Sequence, residues 1–162
     1  MLENSIHQEK LFVEISKLIE NIGLFVVDIR KSDNRETTHV VVTITNKEHN
    51  VGIEECEKAH RLIFPRLSLL EGVRELDLEV STPGLQRNFR DFHEFELFSG
   101  RRCRVYDSLH KSWVEGIIVR LGKDDIELSE AKYDNGKEIL PICHILHENV
   151  QKAKLAYSWE DM

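Results

Sequence analysis

Leu76-Asp77-Leu78-Glu79-Val80-Ser81-Thr82-Pro83-Gly84-Leu85-Gln86-Arg87 is the stretch at which this chain changes character. Leu76, Leu78 and Val80 alternate with Glu75, Asp77 and Glu79, the period of a strand with one apolar and one acidic face. The alternation stops at Thr82-Pro83-Gly84. A residue before proline is pushed to extended backbone, and Pro-Gly suits the two central positions of a type II turn. The stretch predicts a half-buried strand running into a stiff corner, with one domain over residues 1–84 and a second over 85–162.

Before the corner, Ser5-Ile6-His7-Gln8 has the form of a capping box, which predicts a helix start there. Leu11, Ile15, Leu18, Ile19 and Ile22 follow at helical spacing, and Gly23 is placed to end that helix. Strands are predicted over 24–31 and 38–46, joined through Ser32-Asp33-Asn34-Arg35, with Val40, Val42 and Ile44 on one face. A second helix follows, with Glu54, Glu55 and Glu57 near its dipole-positive start and Cys56, Ala59, His60 and Ile63 facing inward. Pro65 is expected to end or kink it. With the strand at 75–81 the order is αββαβ: two helices covering one face of a three-stranded sheet.

After the corner, Asp91 to Phe98 is aromatic-rich and reads as a short helical plug. Five strands are predicted over 102–106, 113–120, 125–128, 137–141 and 150–156, with turns at Leu121-Gly122-Lys123-Asp124 and Asp134-Asn135-Gly136. Gly116 marks a bend or bulge in the longest strand. Cys143 to His147 is expected to form a 3₁₀-like turn. Core candidates are Trp113, Ile117, Val119, Ile126, Leu128 and Leu155. The class expected is α+β in two domains, the second a small SH3-like or Sm-like β-barrel.

Composition bounds the function. The 162 residues are 41% hydrophobic and 31% charged, ordinary for a folded globular chain, and no apolar run approaches a membrane span. Residues 1–5 lack the basic start and apolar core of a signal peptide. Three dispersed cysteines without a CxxC pair suit reduced thiols, so a cytoplasmic location is expected. The net charge of −7 speaks against broad nonspecific nucleic-acid binding. Yet Arg87, Arg90, Arg101, Arg102 and Arg104 gather just after the corner. An acidic protein with such a cluster suits a basic protein on one face and phosphate on another, and composition equally suits a solvated surface of mixed charge.

Three chemistries find little support. Cys143, His144 and His147 lie close together and Cys56 and His60 stand four apart, but the second knuckle of a structural zinc site is missing. No metal or cofactor is therefore expected. Ser81 and Thr82 sit before Pro-Gly, outside any Gly-x-Ser-x-Gly elbow, and no GxGxxG or phosphate-binding loop occurs, so no enzyme is expected. The first domain also lacks the GxxG clamp of KH domains and the sheet aromatics of RRM domains.

Leu78-Glu79-Val80-Ser81-Thr82-Pro83-Gly84-Leu85-Gln86-Arg87-Asn88-Phe89 resembles the joint of the bacterial ribosome maturation factor RimP family, which reads Leu-Glu-Val-Ser-Ser-Pro-Gly-Leu-Asp-Arg-Pro-Leu. Thr82, Gln86, Asn88 and Phe89 depart from it. Val51 to Cys56, Phe98 to Arg101, Lys111 to Gly116, Leu140 to Ile142 and Val150 to Leu155 resemble other pieces of the family in the same order. The resemblance covers essentially the whole chain. It implies a non-enzymatic assembly factor that binds the free small (30S) ribosomal subunit during its maturation near the decoding region. It further implies a basic ribosomal protein as partner, with rRNA as another contact.

On this reading Ser81, Thr82, Pro83 and Gly84 are the structural joint. Gln86, Arg87, Arg90, Arg101, Arg102 and Arg104 are the candidate binding residues. The alternative is an Sm-like RNA-binding module acting on messenger or small RNA. Such modules form rings, which the preceding domain would obstruct, so a monomer with no membrane partner is expected.

Overall fold

The computed structural model describes residues 1–72 and 75–157, which form an α+β structure of two compact units. One spans Ser5–Pro83; the other joins Met1–Asn4 to the chain from Gly84 onward.

The first unit contains α1 (Lys10–Ile19), β1 (Leu24–Asp33), β2 (Thr37–Asn46), α2 (Ile53–Glu71) and β3 (Glu75–Ser81). β1 and β2 are antiparallel, β2 and β3 parallel, and the sheet order is β1-β2-β3. The parallel pair is what a helical crossover through α2 produces. Ile15, Ile19, Val40, Val42, Ile44, Ala59, Ile63 and Leu67 form the centre of a core between helices and sheet, each at most 1% exposed. That core is the αββαβ layer expected from the periodicity.

Three local expectations for this unit need correction. Ser5 makes no side-chain cap; Ile6–Gln8 is a separate 3₁₀ turn, and α1 begins only at Lys10 after extended backbone at Glu9. The break lets Ile6 and Phe12 both enter the core. Ile22 points outward at 44% exposure, while Gly23, at φ 77°, ends the following 3₁₀ turn in the left-handed region. Pro65 does not end α2. The helix runs six residues further, held by buried Leu67 and by the 2.7 Å ion pair of Lys31 with Glu71.

The second unit contains α3 (His93–Leu97), β4 (Arg102–Asp107), β5 (Ser112–Leu121), β6 (Asp125–Tyr133), β7 (Leu140–Leu146) and β8 (Val150–Leu155). All neighbours are antiparallel in the order β7-β6-β5-β4-β8. Among the described residues no ladder joins β7 to β8, so the pairing is that of an open five-stranded sheet. The chain after the corner lines the β8 end: Phe89 N–H donates to Ala153 O at 2.8 Å, and Leu155 N–H to Arg87 O at 2.9 Å. Phe89, Phe92, Phe95 and Phe98 are all buried, with Phe89 edge-on to Phe95 at 5.0 Å. Phe89, one of the departures from the family joint, thus belongs to an aromatic plug.

Gly116 lies at a register shift of β5, as expected. A Cβ there would meet Ser129 O at 3.0 Å and Leu128 and Ala131 Cβ at 3.2 Å. The core face of β5 is the opposite of the one expected: Ser112, Val114, Gly116 and Ile118 point inward, whereas Trp113 and Ile117 are half-buried and Val119 is 39% exposed. Ile126, Leu128 and Leu155 are buried as expected. β6 extends to Tyr133, β7 starts at Leu140, and Cys143 to Leu146 is strand; the 3₁₀ turn follows at His147–Asn149.

Candidate functional site

The joint itself is shaped differently from the Pro-Gly turn expected. Ser81 ends β3 opposite Thr43. The turn comes one step later: Arg87 N–H donates to Gly84 O at 3.2 Å, with Leu85 and Gln86 at its centre. Gly84 is not among the glycines at positive φ, which a type II turn with glycine in third place demands. Leu85 and Gln86 are exposed. Pro83 therefore stiffens the exit from β3, and the reversal falls on its successors.

Arg87 and Arg90 are drawn into the interior network of α3. Glu94 is fully buried, and its Oε1 accepts from Arg87 Nε at 3.0 Å. Its Oε2 accepts the backbone N–H of Arg90 at 2.7 Å and of Asp91 at 3.1 Å. Burial pushes the Glu94 carboxyl above its ordinary range despite these donors. The Arg87 side chain is 14% exposed, which ties its charge to this carboxylate.

Arg102 and Arg104 lie on the outer face of the sheet, where the alternation of β4 places Tyr106 as well. Arg101, half-buried, precedes β4 and accepts Ile118 N–H on its carbonyl at 2.9 Å. Arg104 is opposite Glu115 on β5 and Lys154 on β8. Its guanidinium reaches Asp134 at 2.6 Å and Glu115 at 3.5 Å, and stands 5.6 Å from the Trp113 ring centre. Lys154 Nζ is 5.4 Å from the same ring, and Tyr106 packs edge-on against it at 5.6 Å. Lys152 is opposite Tyr106. A depression of about 370 Å³ adjoins this face, lined in part by Arg102, Arg104, Glu115, Glu130 and Lys132.

Sequence reasoning gathered Arg101, Arg102 and Arg104 but missed Tyr106, Lys152 and Lys154, and put Trp113 in the core. The signal was the period of two in β4 and β8. Read with Arg104 outward, it also places Tyr106 and Lys154 outward.

The first unit carries two further sites. Beside the start of α2, Val51, Ile53, Cys56, His60, Val80 and Thr82 help line a mainly apolar groove of about 550 Å³. Gly52 N–H donates to Glu55 Oε2 at 2.9 Å, and amide hydrogen bonds from Glu55 itself and from Gly52 hold that carboxyl below its ordinary range. The sheet of the same unit carries exposed Glu75, Asp77 and Glu79, with Asp77 Oδ2 2.8 Å from His39 Nδ1.

In the second unit, buried Asp107 is a hub. Tyr133 O–H donates to its Oδ2 at 2.6 Å, His110 Nδ1 lies 2.8 Å from the same oxygen, and Leu109 N–H donates to Oδ1 at 2.9 Å. Burial raises the Asp107 carboxyl, but those hydrogen bonds together outweigh it and hold the group below its ordinary range. Tyr133 is pushed up by burial and by the Asp107 bond. Cys56, Cys103 and Cys143 are free thiols, and burial pushes each of them up. Among the described residues no helix is long and apolar enough to cross a membrane.

Fold and sites together define an α+β protein of two units whose candidate sites are surfaces of segregated charge. The family model described as the RimP N-terminal domain matches residues 14–86. The ribosome maturation factor RimP of Borrelia hermsii is 30% identical over 149 residues, covering 88% of this chain and 94% of that protein. That of Borrelia turicatae is 28% identical over 147 residues at the same coverage. The chain belongs to the ribosome maturation factor RimP family. An SmAP (LSm) protein from Methanococcus vannielii is similar at 18% identity over 41% of this chain and 94% of that one, with a TM-score of 0.37.

Proposed function

We propose that this protein is a non-enzymatic assembly factor for the small (30S) ribosomal subunit, binding the free subunit near its decoding region. A role in ribosome maturation follows from the family; the choice of subunit and the contacts are this reading's own. The observation that carries it is similarity to named maturation factors over most of the chain, covering 88% of it and 94% of the Borrelia hermsii protein. In this reading the chain from residue 85 onward forms the joint and an SH3-like or Sm-like domain, and the protein acts as a monomer in the cytoplasm.

The contacts divide by charge. Residues 1–84 hold 10 Lys/Arg against 15 Asp/Glu, and the exposed Glu75, Asp77 and Glu79 suit a basic ribosomal protein. Arg101 and Arg102 face rRNA phosphate, Arg104 is held beside them by Asp134 and Glu115, and exposed Gln86 adds a polar contact after the joint. Arg87 instead holds the segment after the joint through Glu94, and Ser81 to Gly84 fix the exit from β3.

The rRNA half is tested by reversing Arg101 and Arg102 to Glu and measuring subunit binding across salt concentrations. Weaker binding with a shallower salt dependence is expected, because phosphate contacts release counterions. Unchanged affinity and slope would remove phosphate from the account.

A further inference from the structure

We propose that the outer face of β4, β5 and β8 is a platform for single-stranded RNA, with Tyr106 and Trp113 stacking unpaired bases and Arg102, Lys152 and Lys154 holding the adjoining phosphates. The proposal rests on the small-subunit reading and names the chemistry of its rRNA contact.

Tyr106 and Trp113 are direct cross-strand partners, so two rings occupy one spot on the sheet. Lys152 and Lys154 are opposite Tyr106 and Arg104 on the other side of β4. Cations two residues apart along a strand stand roughly 7 Å from each other, and adjacent strands are about 4.8 Å apart. The rings are therefore bordered by a row of positive charge at the spacing of a nucleic-acid backbone lying along β8.

Charge points the same way. Arg102, Arg104, Lys132, Lys152 and Lys154 meet Glu115, Glu130 and Asp134 on and beside this face, an excess of cations within a chain of net charge −7. Among the described residues Lys132, Lys152 and Lys154 have no carboxylate partner, and all but Lys154 are exposed. Arg104 is different: Asp134 and Glu115 fix its guanidinium beside the Trp113 ring, which makes it a positioning residue.

Aromatic side chains select the strandedness of the ligand. A duplex buries its base faces in its own stack, so a ring gains little from it. An unpaired base offers a free π-face, and a neighbouring cation then lies close to its phosphate. A basic protein segment would meet like charge here, whereas the acidic sheet of the first unit has the opposite sign.

The test uses the full chain. Trp113 and Trp159 are its two tryptophans, so Trp159→Phe leaves Trp113 as the fluorescent reporter. An unstructured RNA of about 12 nucleotides, within the usual site sizes of such surfaces, is titrated alone and annealed to its complement. Quenching by the single strand is expected, with duplex binding at least tenfold weaker. In the otherwise native chain, labelled-RNA anisotropy should show roughly 5- to 150-fold weaker binding for Trp113→Ala, the range of one lost base stack. Lys152→Glu/Lys154→Glu, at an exposed and a half-buried position, should weaken binding and flatten its salt dependence even if Trp113→Ala folds poorly.

Equal affinity for single strand and duplex, or an unchanged lysine double variant, overturns the platform. If the protein binds free small subunits but shows no single-strand preference, the platform falls and the subunit reading stands. If it prefers single strands as described but ignores ribosomal particles, the platform stands and the subunit reading falls.

Discussion

The Glu94 carboxylate draws three donors of the chain after the joint into one buried knot: Arg87 Nε and the amides of Arg90 and Asp91. Removing the guanidinium leaves a buried carboxylate short of its charge partner, so Arg87→Ala should cost about 3–5 kcal/mol in urea unfolding. The pH dependence has a definite sign. A carboxyl whose folded pKa lies above its unfolded value adds stability at low pH that is lost as pH rises through the folded pKa. Without Arg87 that shift grows, so the cost should be greater near pH 8 than near pH 5. A loss that does not vary with pH would contradict the role given to Glu94.

Asp107 has the opposite sign: its folded pKa is lowered, so its contribution is present above the unfolded value of about 3.9 and fades as pH falls through the folded one. The stability gap between the native chain and Asp107→Asn should therefore be full at neutral pH and narrow below about pH 4, as read from acid-denaturation curves. Neither knot was legible in the sequence. Arg87 and Glu94 are seven residues apart and Asp107 and Tyr133 twenty-six, and which way those side chains turn is decided by burial rather than by residue type. Arg87 looks like its neighbours Arg101 and Arg102 until its pairing with the fully buried Glu94 is known.

Elements were more legible where a period was long and both faces differed. β3, with its acidic and apolar sides, and β2, with Val40, Val42 and Ile44, read directly. β5 did not, because Trp113, Ile117 and Val119 form as apolar an alternation as Val114 and Ile118. A strand shifted by one residue exchanges its faces, and only the fit of Gly116 against Ser129 fixes the phase. β7 was displaced for a related reason: Pro141 looks like a terminus, yet lies within an edge strand, where a missing N–H is tolerated.

Pro65 is the same lesson in a helix. The residues after it stay helical because Leu67 is buried and Glu71 reaches Lys31, so tertiary contacts override the local penalty. Pro65→Ala should accordingly raise stability by about 1–3 kcal/mol, the regained helix bond less the entropy proline removes from the unfolded chain. A fall in melting temperature would mean that the proline itself is required for packing.

Across the whole molecule, the change of character at Leu76 to Arg87 separates an acidic αββαβ unit from a five-stranded sheet unit that carries cations around two aromatic rings. The family was legible from the order of short motifs, above all Val80-Ser81-Thr82-Pro83-Gly84-Leu85. The aromatic half of the candidate surface was not, since Trp113 and Tyr106 become neighbours only through strand pairing. Charge segregation is the property that would let one small protein meet a basic protein and an RNA together.

Co-sedimentation of the purified chain with separated 30S and 70S particles at matched concentrations tests that account most directly. The account predicts that the chain travels with free small subunits and is absent from joined ribosomes. Equal association with both particles, or with neither, would contradict it.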